Sequence, residues 1–145
     1  MLEKLLTRLK QGHDDAVSDH EIQIAIAALL VALENSDGTD GPDEDTPIDE
    51  VLMVRYGLDR KSAEAIRRDG AAAELASLDT FEFTHILKSE LDDRARADLI
   101  EDCWRVATTD RPANAAEIGY IGRMVHLLDV SEHAARAARQ LGERN

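Results

Sequence analysis

The chain has 145 residues, of which 43% are hydrophobic and 32% charged, and its formal net charge is −13 at pH 7. These proportions indicate one soluble globular domain and exclude an intrinsically disordered chain. The negative charge disfavours nucleic-acid backbones and anionic membrane surfaces as partners, because binding to both depends on Lys and Arg.

Cysteine content and N-terminal composition predict a cytoplasmic protein. Cys103 is the only cysteine, so no intramolecular disulfide can form and a reducing compartment is favoured. The N-terminal stretch MLEKLLTRLKQG carries charges throughout and lacks the apolar core of a signal peptide. The longest apolar run, Ile24 to Leu33, has ten residues and is too short to span a bilayer, so we expect no membrane insertion.

Residues 1–17 are predicted to form an amphipathic helix followed by a linker. Leu2, Leu5, Leu6 and Leu9 recur at helical spacing and therefore share one face, while basic residues occupy the other. Such a helix either lies on a membrane surface or packs on its own domain, and packing is the commoner outcome.

Residues from about 18 to 75 make up the first half of the predicted domain. Ser18 and Glu21 have the spacing of a capping box and precede a strongly apolar segment, which predicts a buried central helix. The acidic stretch NSDGTDGPDEDTPIDE follows and leads into a second helix that starts close to Pro47. Asp59 caps a third helix, whose basic residues are expected on a solvent-exposed face: Arg60, Lys61, Arg67 and Arg68.

Residues from about 76 to 145 make up the second half. Asn114 and Glu117 form a second capping-box pattern, and Cys103 and Trp104 are expected in the core. Further helix starts are predicted at Asp79 or Thr80, at Asp92 and at Ser131. No strand-like alternation competes with these patterns. We therefore predict an all-α fold, a compact single domain of seven or eight short helices over residues 1–145.

The two halves carry the same spacing of acidic residues. Asp37 is followed seven residues later by Glu44, and Asp110 is followed seven residues later by Glu117. In each half this pair lies between a predicted buried helix and the helix after it. We call the connection with Asp37 and Glu44 the first junction, and the one with Asp110 and Glu117 the second. The shared spacing predicts a two-fold internal pseudo-repeat.

These segments resemble the tellurite-resistance protein B (TerB)-like family, over about Glu21 to Arg139. The family signature is a helix ending in Ala-x-x-Asp-Gly, a short acidic loop and a Glu opening the next helix. The stretch FEFTHILKSELDDRARADLIEDCWRVATTD is similar to its central portion. The resemblance implies an all-helical, two-fold repeated fold with a divalent-cation site made by the junction acids. Two departures concern that site: Arg111 replaces the signature Gly, and Gly41 and Pro47 interrupt the first junction.

The predicted metal ligands are the four junction acids: Asp37, Glu44, Asp110 and Glu117. Hard cations such as calcium take six to eight oxygen ligands, which an Asp-rich loop can supply. The alternative is a solvated turn, because Asp, Gly and Pro are ordinary turn residues and Glu117 is explained by its capping box. The first junction is not an EF-hand, since Pro42 and Ile48 stand where Gly and Glu are required.

We expect a non-enzymatic domain that binds calcium or magnesium and serves as a stress-response sensor or scaffold, without an organic cofactor. It would act on a protein partner and not on nucleic acid; the sequence sets no oligomeric state. The alternative is a metal-independent interaction module with an acidic surface. A third hypothesis, metal-assisted phosphate-ester chemistry, lacks a nucleophile or a substrate-binding cluster in the sequence.

Overall fold

The structure, a computed structural model, describes residues 17–36, 47–77 and 81–144. Within these ranges it has seven helices and no strand, so the all-α prediction is confirmed. They are α1 (Asp19–Glu34), α2 (Pro47–Tyr56), α3 (Arg60–Ala76), α4 (Phe81–Glu90), α5 (Asp93–Ala107), α6 (Ala115–Leu127) and α7 (Glu132–Gly142). The predicted N-terminal helix falls outside the described ranges, and the pseudo-repeat stays a prediction.

Most predicted helix starts are confirmed, because they depend on local side-chain hydrogen bonds. Both capping boxes form, at Ser18 with Glu21 and at Asn114 with Glu117. The other predicted caps also accept a backbone N–H three residues on: Asp59, Asp92 and Ser131. Pro47 is the first residue of α2, as its missing N–H favours.

Helix α1 forms the centre of the core, as its apolar sequence predicts. Its residues from Ile24 to Leu33 are buried, and it packs most extensively against α3. Gly70 of α3 permits this close packing, because a Cβ built there would lie 2.6 Å from Ala27 Cβ. Any larger residue at that position would push the two helices apart.

Helices α5 and α7 form a second close contact around Trp104. Its ring is buried, and the Arg139 guanidinium of α7 lies 4.2 Å from the ring centroid, in cation–π geometry. The neighbouring Cys103 is also buried, which confirms the predicted core thiol, and burial raises the pKa of that thiol. Trp104 and Cys103 therefore contribute to the packing of the core.

The prediction that Arg67 lies on a solvent-exposed basic face of α3 is wrong. This side chain is only 7% exposed, whereas Arg60, Lys61 and Arg68 are exposed as expected. Helical geometry gives the reason. Buried positions of α3 recur three or four residues apart and include position 67 on the face toward the core: Ala63, Ile66, Arg67, Gly70 and Ala73.

Candidate functional site

The first junction connects α1 to α2, and its predicted ligands Asp37 and Glu44 fall in residues 37–46, outside the described ranges. Their role stays a prediction. The residues that flank this segment on both sides are described. Glu34 is the last residue of α1, and Asp49 is the third residue of α2.

Glu34 places the two junctions close together in space. Its carboxyl group interacts electrostatically with Arg67 of α3, with Asp49 of α2, which follows the first junction, and with Glu117 of the second junction. Burial raises the pKa of Glu34 to about 7; Arg67 opposes this shift, while Asp49 and Glu117 add to it. Glu34 therefore lies near two other carboxylates, Asp49 and Glu117, and near the buried guanidinium of Arg67.

Asp49 and Arg67 form the buried ion pair of this cluster. Asp49 is fully buried, and its Oδ1 accepts a hydrogen bond from Arg67 Nε at 2.6 Å. Asp49 Oδ2 and Arg67 Nη2 are both buried and have no hydrogen-bond partner among the described residues. Unpaired buried polar atoms are costly, and a carboxylate oxygen in this state is suited to a cation or a donor ligand.

At the second junction the buried carboxylate is that of Glu117, and its charge is neutralised by Arg111 of the same connection. Glu117 is 5% exposed, and its Oε1 accepts from Arg111 Nη1 at 2.8 Å and from the Asn114 backbone N–H at 2.9 Å. Asp110, the other predicted ligand here, is exposed. The two acids of this predicted pair thus lie in contrasting surroundings, and Glu117 already has charged and neutral donors.

Sequence comparison of the two halves aligned Glu44 with Glu117, and it overlooked Asp49 and Glu34. In the structure Asp49 is the third residue of α2, and Glu117 is the third residue of α6. The position of Asp49 could have been predicted from Pro47. Because Pro favours the first helical position, counting from it places the acidic residue Asp49 in the third. Glu34 gave no comparable signal, since it simply ends an apolar helix.

The described carboxylates do not make a complete metal site by themselves. Within residues 17–36, 47–77 and 81–144, no group of three His, Cys, Asp or Glu side chains has an arrangement that could hold a metal ion. A site at the first junction would therefore draw further ligands from residues 37–46, where the chain has five acids: Asp37, Asp40, Asp43, Glu44 and Asp45.

A second charged cluster joins α2 to α5 and was not predicted. Arg55 donates to both carboxylate oxygens of Asp102, at 3.0 and 2.8 Å, and Asp102 also accepts from Arg105 at 3.3 Å. Burial raises the pKa of Asp102, and the hydrogen bond from Arg55 opposes that shift. Grooves of 580 and 460 Å³ flank the cluster. Since its charges are mutually paired, we assign it a structural role.

These features define a helical-bundle protein with buried charge at the starts of its helices. A family model described as tellurite resistance protein TerB matches residues 23–140, and the chain belongs to this family. Comparison with curated proteins and with solved structures gives no match. None of the helices in the described ranges combines the length and hydrophobicity needed to cross a membrane.

Proposed function

We propose that this protein is a non-enzymatic, divalent-cation-binding helical domain that acts in the cytoplasm as a stress-response sensor or scaffold. The observation that carries the proposal is the unpaired, fully buried carboxylate oxygen of Asp49 at the first junction. Calcium and magnesium are the candidate ions, because both take oxygen ligands.

The residues at the first junction fit such an ion. Asp49 and Glu34 offer carboxylate oxygens from the described helices, and Asp37 and Glu44 lie in the ten residues 37–46 that connect them. Carboxylates gathered at one place repel each other, and more strongly near a protein than in water. A bound divalent cation would replace that repulsion with attraction and add to the charge of Arg67.

The same geometry suggests how binding would be sensed. Glu34 ends α1, Asp49 starts α2 and Glu117 starts α6, so one ion near them would act on three helices at once. Charge-driven changes at helix ends are known to alter the angle between helices. We propose that cation binding fixes this angle and thereby presents or withdraws a surface for a protein partner.

The experiment is a titration of calcium and of magnesium followed through backbone amide chemical shifts. We expect shifts at Glu34, Ser36 and Asp49 in the wild type, and their loss in Asp37→Asn/Glu44→Gln and in Asp49→Asn. The matched control is Asp110→Asn, which alters an exposed acid of the second junction. Absence of shifts at the first junction in the wild type, or equal shifts in the variants, would refute cation binding there.

The second candidate function is a metal-independent interaction module with an acidic surface. The net charge of −13 favours it, because a strongly negative protein attracts basic partners by long-range electrostatics. In that case affinity for the partner falls steeply with salt and is unchanged by a chelator. A complex that survives high salt but dissociates with chelator would reject this alternative.

A further inference from the structure

We propose that Arg111 is a built-in cation of the second junction, so that Asp110 and Glu117 bind no divalent ion and the chain takes up one ion and not two. This inference rests on the proposed function for the number of ions in the wild type. Its central claim, that Arg111 blocks the second junction, is tested separately.

The contacts of Arg111 are those that a hard cation would make. Its Nη1 donates to Glu117 Oε1 at 2.8 Å and to the Pro112 carbonyl oxygen at 3.0 Å. Carboxylate and backbone carbonyl oxygens are also the ligands that calcium takes from protein loops. A guanidinium keeps its proton at any pH a protein tolerates, so its positive charge is permanent. An arriving divalent ion would be repelled by it and would find these two oxygens already bonded.

Arg67 does not play the same role at the first junction. It comes from α3, and its pairing with Asp49 leaves Asp49 Oδ2 without a partner among the described residues. Arg111 belongs to the second junction itself and bonds the carboxylate of Glu117, which the Asn114 N–H also bonds. Arg67 therefore leaves Asp49 Oδ2 available to an ion, whereas Arg111 occupies Glu117 Oε1 and the Pro112 carbonyl oxygen with its own positive charge.

Arg111 is also well placed for substitution. Its side chain is 50% exposed, and it lies between α5 and α6, outside any helix. Replacement by Gly removes the charge at a position where helix propensity is not at stake. Replacement by Lys retains the charge and is the matched control.

The test is calorimetric titration of calcium and of magnesium into the wild type, Arg111→Gly, Arg111→Lys and Arg111→Gly/Glu117→Gln, with amide shifts of residues 110–117 as a second measurement. We expect Arg111→Gly to bind one ion more than the wild type, with affinity at the second junction raised about tenfold or more. Arg111→Lys should match the wild type, and the double variant should lose the added ion.

The outcomes separate this inference from the proposed function. A wild type that binds no ion would reject the proposed function, yet an ion gained by Arg111→Gly would still support the role of Arg111. Shifts at residues 110–117 that appear equally in the titrated wild type and in Asp49→Asn would overturn the inference, because an ion at the first junction would not cause them. So would an Arg111→Gly variant that is folded by circular dichroism and gains no ion; Arg111→Ala repeats the measurement if the Gly variant unfolds.

Discussion

Asp49 and Glu117 are two buried acids that each occupy the third position of a helix and pair with an arginine. Their surroundings differ. Arg67 reaches Asp49 from another helix and is 7% exposed, whereas Arg111 reaches Glu117 from the adjoining connection and is 50% exposed. The first pair leaves two buried atoms unpaired among the described residues, while Glu117 gains a second donor from Asn114. An identical local position thus produces a tertiary ion pair in one case and a local one in the other.

The largest expected loss of stability follows from breaking the ion pair between Arg67 and Asp49. Arg67→Met should lower the free energy of unfolding by about 3–5 kcal/mol, because the buried Asp49 carboxylate loses its counter-charge. Urea denaturation followed by circular dichroism measures this loss. Arg68→Met, at the exposed neighbouring position, is the control and should change stability by less than about 0.5 kcal/mol. A loss of similar size in both variants would contradict the assignment.

The double variant Arg67→Met/Asp49→Leu sharpens the same comparison. Replacing both partners by apolar residues removes the stranded charge, so we expect it to recover most of the stability lost in Arg67→Met. If the double variant is as unstable as the single one, packing at position 67 and not charge pairing governs this site.

The next largest expected loss of stability concerns the close packing of α3 on α1 at Gly70. Gly70→Ala should destabilise the protein by about 1–3 kcal/mol, because the added Cβ meets Ala27 and the Ala28 backbone at under 3.0 Å. Gly122→Ala is the matched control, since a Cβ at this helical Gly has no neighbour within 4 Å. It should stabilise by about 0.5–1 kcal/mol, and thermal unfolding of both variants checks the opposite signs.

A smaller effect is a pH dependence from Glu34. Its pKa is raised from 4.5 to about 7 in the folded state, so between these values the folded protein holds a proton that the unfolded chain has lost. The contribution of Glu34 to the free energy of unfolding is therefore at its maximum below pH 4.5. It decreases as the pH rises through 7 and does not change further at higher pH. We expect a fall of about 1–2 kcal/mol, after allowing for partial exposure of the side chain.

Comparison with Glu34→Gln isolates that contribution, since amide side chains do not titrate. The difference in unfolding free energy between wild type and variant, measured at pH 5 and at pH 8, should shift in favour of the variant at the higher pH. An unchanged difference would show that the pKa of Glu34 is not raised in the folded protein.

The smallest loss of stability is expected at the pair formed by Arg111 and Glu117. Arg111→Ala should cost less than about 1 kcal/mol, because its guanidinium is half exposed and solvent screens the pair with Glu117. Asn114→Ala removes the cap of α6 and should cost about 1 kcal/mol. Chemical denaturation of the two variants tests this order, and a loss of 3 kcal/mol or more at Arg111 (the size expected for a buried pair) would erase the contrast between the junctions.

Local chemistry made much of the fold predictable. The caps at Ser18, Asp59, Asp92, Asn114 and Ser131 each involve residues three apart, so sequence spacing alone finds them. The core position of α1 followed from its continuous apolar run.

The charged clusters were not predictable in the same way. Asp49 and Arg67 are 18 residues apart, and Arg55 and Asp102 are 47 apart, so helix packing brings them together and no local pattern marks them. Arg67 in particular lies among exposed basic residues and was assigned to their face. The predicted ligands Asp37 and Glu44 stay predictions, since the described ranges do not include them.

The stacking of Arg139 on Trp104 also gives the protein an internal optical reporter. Trp104 is the sole tryptophan, and α7 covers it through Arg139 and through Gly142, where a Cβ would lie 2.6 Å from Trp104 Cβ. Its fluorescence should therefore shift to longer wavelength when α7 detaches and water reaches the indole. Emission will follow detachment of the C-terminal helix, while rearrangements confined to the first junction will be largely silent.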